Sequence, residues 1–432
     1  MAEPPDLFAH DSATWRDRLD YIVETMRQVS RHTEAAAMVR TYQSRMRGAN
    51  FSRMLSLSRR GVTPPKFVLA RDTSWSVQPD PWKEREKLPV MEGGYLGELA
   101  YANEARFVPD LRVPPGDPAA SILAPYGSLV AAPVFDGGEA LNVVVLLREG
   151  KNAFDREMLP QLVWNSNLFG RATHNLVLSD QLKRAYGRLD REMQVIADIQ
   201  KSLLPREVPK IPGLDIATYY RPAKQAGGDY YDFFPMADGR WGLMIADVSG
   251  HGSPAAVEMA ITRTLAHTRT GQANGPAAML DYVNRHLASR YTYGTGTFVT
   301  ALFATFEPKT RTLRYATAGH PPARLKRCQD GSLLVLDRSR GLPLGVLTET
   351  SYTEASLTLE PHDQIVFYTD GITESFDRDN RMFGTERLDA TLENCALEAS
   401  GLLEAVLREL EAFAAGREAD DDRTVLVLRV TG

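Results

Sequence analysis

The chain has 432 residues, 43% of them apolar and 24% charged, with a formal net charge of −5 at neutral pH. That length supports roughly two to four domains with cores of their own, and that composition excludes wholesale disorder. Lys and Arg are spread along the chain, which argues against nucleic acid or an anionic membrane as the main partner. The N-terminal stretch MAEPPDLFAHDSATWRDR lacks the apolar core of a signal peptide, and no apolar run nears the roughly 20 residues of a spanning helix. Cys328 and Cys395 are too few and too far apart in sequence to suggest a disulfide framework or a zinc site. The expectation is a soluble protein of the reducing cytoplasm.

Trp15, Leu19, Ile22, Met26 and Val29 recur at helical spacing, so an amphipathic helix is expected from Ser12, with a second over 34–46. Strand-like runs follow at 51–58, 66–71, 106–110, 129–135 and 140–147. Asp136-Gly137-Gly138 reads as the hairpin connection between the last two. A long helix starts near Phe154 and runs to about Leu203, where Pro205 ends it. Helix, antiparallel strands and helix make an α+β domain that resembles a GAF domain over 20–175. Gly94–Glu98, Val108–Leu111 and the hairpin at 129–147 are its best pieces. The resemblance carries no ligand motif and implies either a sensor for an unknown small ligand or a spacer used for dimerisation.

Along the long helix, Leu178, Leu182, Ala185, Leu189, Glu192, Ile196, Ile199 and Leu203 form a heptad seam. Glu192 is its weak point, where Met193 can partly substitute, and Gly187 lowers helix propensity by about 1 kcal/mol. The stripe forms a coiled coil in a homodimer or packs on its own chain. Beyond it, strands are expected at 215–220, 241–248, 298–306, 313–318, 333–336, 364–369 and 424–430. Helices are expected at 254–269, 275–291, 386–394 and 400–415. Many strands with short links and no parallel βαβ rhythm suggest two sheets with helices outside.

The chemistry is concentrated in this half. WGLMIADVSGHG, from Trp241, is a buried strand ending on Asp247, and Ser253-Pro254 then open a helix. A carboxylate at such a strand end, beside glycines that let carbonyls turn inward, presents oxygen to a hard cation. Three further acidic clusters lie at strand ends or turns: GGDYYD around Asp229, YTDGITE around Asp370, and Asp420-Asp421-Asp422-Arg423-Thr424. Gathered and buried, these aspartates repel one another and lose their charge unless a cation compensates them. Carboxylates without thiols select Mg²⁺ or Mn²⁺ over zinc.

The ordered set GGDYYD, DVSGHG, AGHPP, GLPLG, YTDGITE and DDRT, with QKSLLP at 200–205, resembles the PPM (PP2C-type) phosphatases. In particular it is similar to their bacterial SpoIIE/RsbU-like branch, over about 195–432. The resemblance implies an α-β-β-α sandwich, two Mn²⁺ or Mg²⁺ ions, and hydrolysis of phosphoserine and phosphothreonine in proteins. It gives Asp247 as the bridge between the metals, the Val248 carbonyl as a backbone ligand, Asp370 and Asp421 as ligands of one metal, and Asp229 as a ligand directly or through water. A water shared by the two cations is acidified and attacks phosphorus opposite the leaving oxygen. His251 is a candidate acid for that oxygen or a structural residue of the turn, since DVSGHG is longer than the wider family's DGHG. His320 reads as a turn brace. Arg221 and Lys224 are the candidate phosphate-binding cations. Gln225 and Ala226 depart from the acidic residue and Val that often precede GGD in the family.

The expected organisation is therefore an extension over 1–19, a GAF-like sensor over 20–175, a coiled-coil linker over 176–205 and a phosphatase domain over 206–432. The sensor gates the enzyme through the linker, and the implied substrate is a phosphorylated anti-anti-sigma factor. Two competing functions are a degenerate phosphatase that only binds a phosphorylated partner and a hydrolase of small phosphoesters. Metal titration and a comparison of phosphoprotein with small substrates separate them.

Overall fold

The computed structural model describes residues 14–269, 275–292, 294 and 296–432. Residues 1–13 of the expected extension, with the expected helix start at Ser12, lie outside them. Two compact units divide the chain, Met1–Tyr186 and Gly187–Gly432.

The first unit contains α1 (Trp15–Arg31), α2 (Ala35–Met46), β1 (Arg53–Ser58), β2 (Lys66–Asp72), β3 (Val90–Glu92), α3 (Gly94–Tyr101), β4 (Arg106–Val108), α4 (Ala120–Leu123), β5 (Ser128–Asp136), β6 (Glu139–Arg148) and the start of α5 (Met158–Leu203). Thr14 caps α1 reciprocally: its hydroxyl accepts from the Asp17 N–H, and the Asp17 carboxylate accepts from the Thr14 N–H at 2.7 Å. The strands form one antiparallel sheet in the order β3-β2-β1-β6-β5-β4. Side chains alternate across it. Leu55, Leu57, Leu69, Val143 and Val145 pack under α3, whereas Met54, Val144 and Leu146 meet Met46 of α2 and Met158 and Leu162 of α5.

The second unit continues with β7 (Leu214–Arg221), β8 (Tyr230–Pro235), β9 (Trp241–Val248), α6 (Ser253–Arg269), α7 (Pro276–Arg290), β10 (Val299–Glu307), β11 (Thr312–Ala318), β12 (Arg324–Lys326), β13 (Leu333–Val335), β14 (Ala355–Thr358), β15 (Gln364–Tyr368), α8 (Asp370–Thr373), α9 (Gly384–Thr391), α10 (Ala399–Ala414) and β16 (Arg423–Val430). Its strands make two five-stranded antiparallel sheets, β14-β11-β10-β9-β8 and β13-β12-β15-β16-β7. Ile365, Phe367, Leu426 and Leu428 of the second sheet join Leu243, Ile245, Leu302 and Phe303 of the first in one core. The alternate residues Val366, Tyr368, Val425 and Val427 face Leu388, Leu402 and Val406 of α9 and α10. On the far side Met259, Met279 and Val283 of α6 and α7 cover the first sheet. The result is the layering of helix, sheet, sheet and helix that the strand-rich pattern implied.

One expectation is overturned. Cys328, just past β12, and Cys395, between α9 and α10, are disulfide-bonded with Cα atoms 5.7 Å apart. A separation of 67 residues says nothing about distance once Arg324 of β12 pairs with Asp389 of α9. On the heptad stripe Leu178, Leu182, Leu189 and Ile199 are exposed. Among the described residues no helix is long and apolar enough to cross a membrane.

Candidate metal centre

Strand β9 lies inside the first sheet, paired with β8 and β10, and its apolar residues 243–246 are buried. Buried backbone on both flanks fixes where the strand ends, and therefore where Asp247 points. Asp229 precedes β8, Asp370 opens α8 directly after β15, and Asp421 precedes β16. Both sheets thus deliver carboxylates from strand ends.

These four lie close enough to act on one another electrostatically. Burial first, then Asp229, Asp370, Asp421 and Asp422 in that order, push the Asp247 carboxyl up to about 10. Burial raises Asp229 well above the usual carboxylate range, with Asp422 and Asp370 adding to it against the hydroxyls that lower it. Asp370 is raised by burial and then by Glu374 and Asp422. Asp421 is raised by burial, Asp370 and Asp422, while the N–H of Asp422 and the charge of His251 oppose the rise. Among the described residues no three His, Cys, Asp or Glu side chains close around one point as a finished cation shell. Carboxylates near enough to raise one another's pKa come closer only when a positive charge compensates them.

Two observations show that the donor set fits a hard cation. Asp229 Oδ2 accepts from Thr369 Oγ1 at 2.8 Å and Thr424 Oγ1 at 2.6 Å, whereas its Oδ1 is buried and makes no hydrogen bond. A buried carboxylate oxygen without a donor is costly unless a cation satisfies it. At Gly228 a side chain is excluded, because a Cβ there would sit 2.6 Å from the Val248 carbonyl oxygen and 3.2 Å from Asp247 Oδ1. That close approach keeps the Val248 carbonyl and the Asp247 carboxylate beside the loop that carries Asp229. Oxygen donors of this kind suit Mg²⁺ or Mn²⁺.

The three consecutive aspartates divide their work. Asp420 turns outward and pairs with Arg417 at 2.9 Å. Asp421 accepts the N–H of Asp422 at 2.8 Å and joins the cluster. Asp422 is buried and spends both oxygens on backbone, accepting from Ala223 at 2.7 Å and from Gly228 at 2.5 Å. It braces the loop rather than presenting a free carboxylate.

The remaining sequence candidates lie at the rim or apart. Lys224 Nζ is 3.3 Å from His251 Nε2 and 3.4 Å from Nδ1, and both residues are exposed. An ammonium can donate only to a ring nitrogen that carries no proton. Arg221 ends β7 opposite Arg423, and no contact joins it to the aspartates among the described residues. His320 is buried with Nδ1 2.9 Å from Thr300 Oγ1, and burial pushes its pKa down to about 3. It is a neutral brace.

Sequence reasoning quoted four useful residues without seeing their roles. Thr369 and Thr424 orient Asp229, Asp422 braces its loop, and Gln200 on α5 grips Gly227 from both sides. Its Nε2 donates to the Gly227 carbonyl at 2.6 Å and its Oε1 accepts the Gly227 N–H at 3.0 Å. The signal available was only their place inside the matched strings.

The chain is similar to several known proteins. Residues 237–431 match the family described as Stage II sporulation protein E (SpoIIE). The chain is 29% identical over 241 residues to Phosphoserine phosphatase RsbU of Bacillus subtilis (strain 168), covering 55% of this chain and 70% of the relative. It is 26% identical over 184 residues to Phosphoserine phosphatase RsbP of the same organism, covering 42% of this chain and 45% of the relative. Among solved structures, the SiaA-PP2C domain of Pseudomonas aeruginosa superimposes with a TM-score of 0.50 at 22% identity, over 57% of this chain and 98% of that one. This last likeness shows the fold.

Proposed function

We propose that the C-terminal domain, a PP2C-type phosphatase domain of the SpoIIE family, hydrolyses phosphoserine or phosphothreonine esters on a regulatory protein with two divalent cations, Mn²⁺ or Mg²⁺. The observation that carries the reading is Asp247: a carboxylate at the end of a buried central strand, raised to about 10 by burial and by aspartates from both sheets. Asp247, the Val248 carbonyl, Asp370, Asp421 and Asp229 would hold the ions. Bound there, divalent ions acidify water and neutralise phosphoryl charge. The chain's own part is to aim oxygens. Thr369 and Thr424 fix the Asp229 carboxylate, and Asp422 with Gln200 fixes the glycine loop before it. Lys224 and His251 lie at the rim, where a cation meets a phosphoryl group and an imidazole a leaving oxygen.

Relatives named as phosphoserine phosphatases support a phosphoprotein substrate, which we take to be an anti-anti-sigma factor. The N-terminal unit is read as a GAF-like sensor of a small ligand. Its signal travels along α5, whose Gln200 grips the loop two residues before Asp229. The exposed stripe Leu178, Leu182 and Leu189 supports a homodimeric coiled coil on the same helix.

The test is turnover of a phosphoserine peptide and of p-nitrophenyl phosphate by the full chain with Mn²⁺, Mg²⁺ or EDTA. Metal-dependent release of phosphate from the peptide, abolished by Asp247→Ala and by Asp370→Ala in folded protein, is the expected result. Retained activity in either variant overturns the two-metal reading. Removal of residues 1–186 should change turnover, and an unchanged rate would end the gating proposal.

A further inference from the structure

The first unit contains a cavity of about 330 Å³ that no part of the phosphatase reading uses. It lies over the sheet face opposite α3, between strands β1, β2 and β6 and helices α2 and α5. The sequence makes room there. Ser56 and Ala70 are small where the neighbouring positions of that face carry Met54 and Val144, and α5 runs close to the sheet at Gly170, where a Cβ would be 2.6 Å from Val134 Cγ1. Most of the lining is apolar.

The charges around it are unevenly matched. Asp136 at one end is already neutralised by Arg60 at 2.6 Å and Arg171 at 2.5 Å. Arg85 spends a guanidinium N–H on the Arg60 carbonyl. Arg71 differs: its guanidinium stacks 5.7 Å from the Trp82 ring, and among the described residues no carboxylate lies within ion-pair distance and no side-chain hydrogen bond satisfies it. Burial lowers its pKa, and the more distant charge of Asp80 opposes that only in part. A half-buried guanidinium with five donors and no acceptor, at the wall of an apolar cavity, is a receptor for one negative charge.

We propose that this cavity binds a small organic monoanion, a carboxylate on an apolar body, with the carboxylate on Arg71 and the body along the sheet face beside Val68 and Val144. A cavity of this size suits a ligand at the small end of the usual range. Among the described residues Arg71 is the guanidinium left without a protein acceptor, and a carboxylate supplies one. The proposal deepens the reading of this unit as a sensor and rests on it for consequence, but its test needs no turnover.

The experiment is calorimetric titration of the full chain with octanoate and with the neutral octanamide. Octanoate should bind at one site per chain and octanamide at least about tenfold more weakly, the factor a charge-assisted hydrogen bond carries. Arg71→Met should remove that preference, and Ser56→Leu, which fills the cavity without touching the charge, should weaken octanoate while the melting curve stays that of a folded protein. Equal binding of the two probes, a preference that survives Arg71→Met, or no saturable binding of octanoate at millimolar concentration overturns the assignment. Octanoate that binds as expected yet leaves phosphopeptide turnover unchanged upholds the site and removes only the gating.

Discussion

Replacing Asp247 by asparagine separates a metal-holding carboxylate from a structural one. Burial and its acidic neighbours push this carboxyl up to about 10, whereas in the unfolded chain it titrates near 3.9. A carboxyl raised in the fold contributes its stability below about pH 4 and loses it as pH climbs toward the folded value. At pH 7 the metal-free fold must therefore hold a proton that the unfolded chain has released. Over about 3 pH units this costs about 4 kcal/mol at 1.36 kcal/mol each. Protons shared among coupled aspartates and water at the rim bring the figure to about 1–3 kcal/mol. Asparagine keeps the shape and removes the demand. In EDTA at pH 7.5 the variant's second unit should then melt about 2–12 °C above wild type, at about 2–4 °C per kcal/mol for a unit of this size. With Mn²⁺ at about a hundred times its Kd, wild type gains about 2.7 kcal/mol and the variant less, so the gap closes or reverses. Melting curves from pH 5 to 9, with EDTA and with Mn²⁺, read both effects. A variant that melts below wild type in EDTA throughout this range would refute the reasoning, because the carboxylate would then be stabilising the fold without any cation.

Three further substitutions test the surrounding parts. Gly228→Ala forces a Cβ to 2.6 Å from the Val248 carbonyl oxygen; it should destabilise the second unit by about 1–3 kcal/mol and weaken Mn²⁺ binding, measured by melting and calorimetry. Unaltered metal affinity would mean that the Val248 carbonyl is not a ligand. Gln200→Ala strips the Gly227 N–H and carbonyl of their partners. The loss of about 1–3 kcal/mol per buried group should raise the Mn²⁺ concentration needed for half-maximal phosphopeptide turnover, and an unchanged metal requirement would detach α5 from the site. Cys328→Ser opens a loop of 67 residues; on chain entropy alone it should cost about 4 kcal/mol, seen as a lower denaturant midpoint that dithiothreitol reproduces in wild type.

The fold and the site were legible to different depths for physical reasons. The run at 241–248 was read as a strand with the bounds it has, because a central strand buried on both faces must be apolar throughout. Strands β3, β8, β12 and β14 were missed: β3, β12 and β14 have three or four residues held extended by pairing with β2, β15 and β11, and β8, paired with β9, begins inside the acidic string GGDYYD. The disulfide was missed because proximity is a property of packing, not of spacing. At the site, aspartates announced themselves by being acidic where a strand ends. The groups that orient them did not. A threonine hydroxyl such as that of Thr424 has the same local signature whether it faces solvent or donates to a buried carboxylate. Asp421 and Asp422 make the point most sharply, since they are chemically identical neighbours. Both bear on the acidic cluster, yet Asp422 is spent on the amides of Ala223 and Gly228 while, among the described residues, Asp421 accepts only its neighbour's amide, and only the turn before β16 decides which. The donors a cation would meet are thus chosen by backbone direction at a strand end, and a substitution that turns that backbone should cost the site as much as removing a carboxylate.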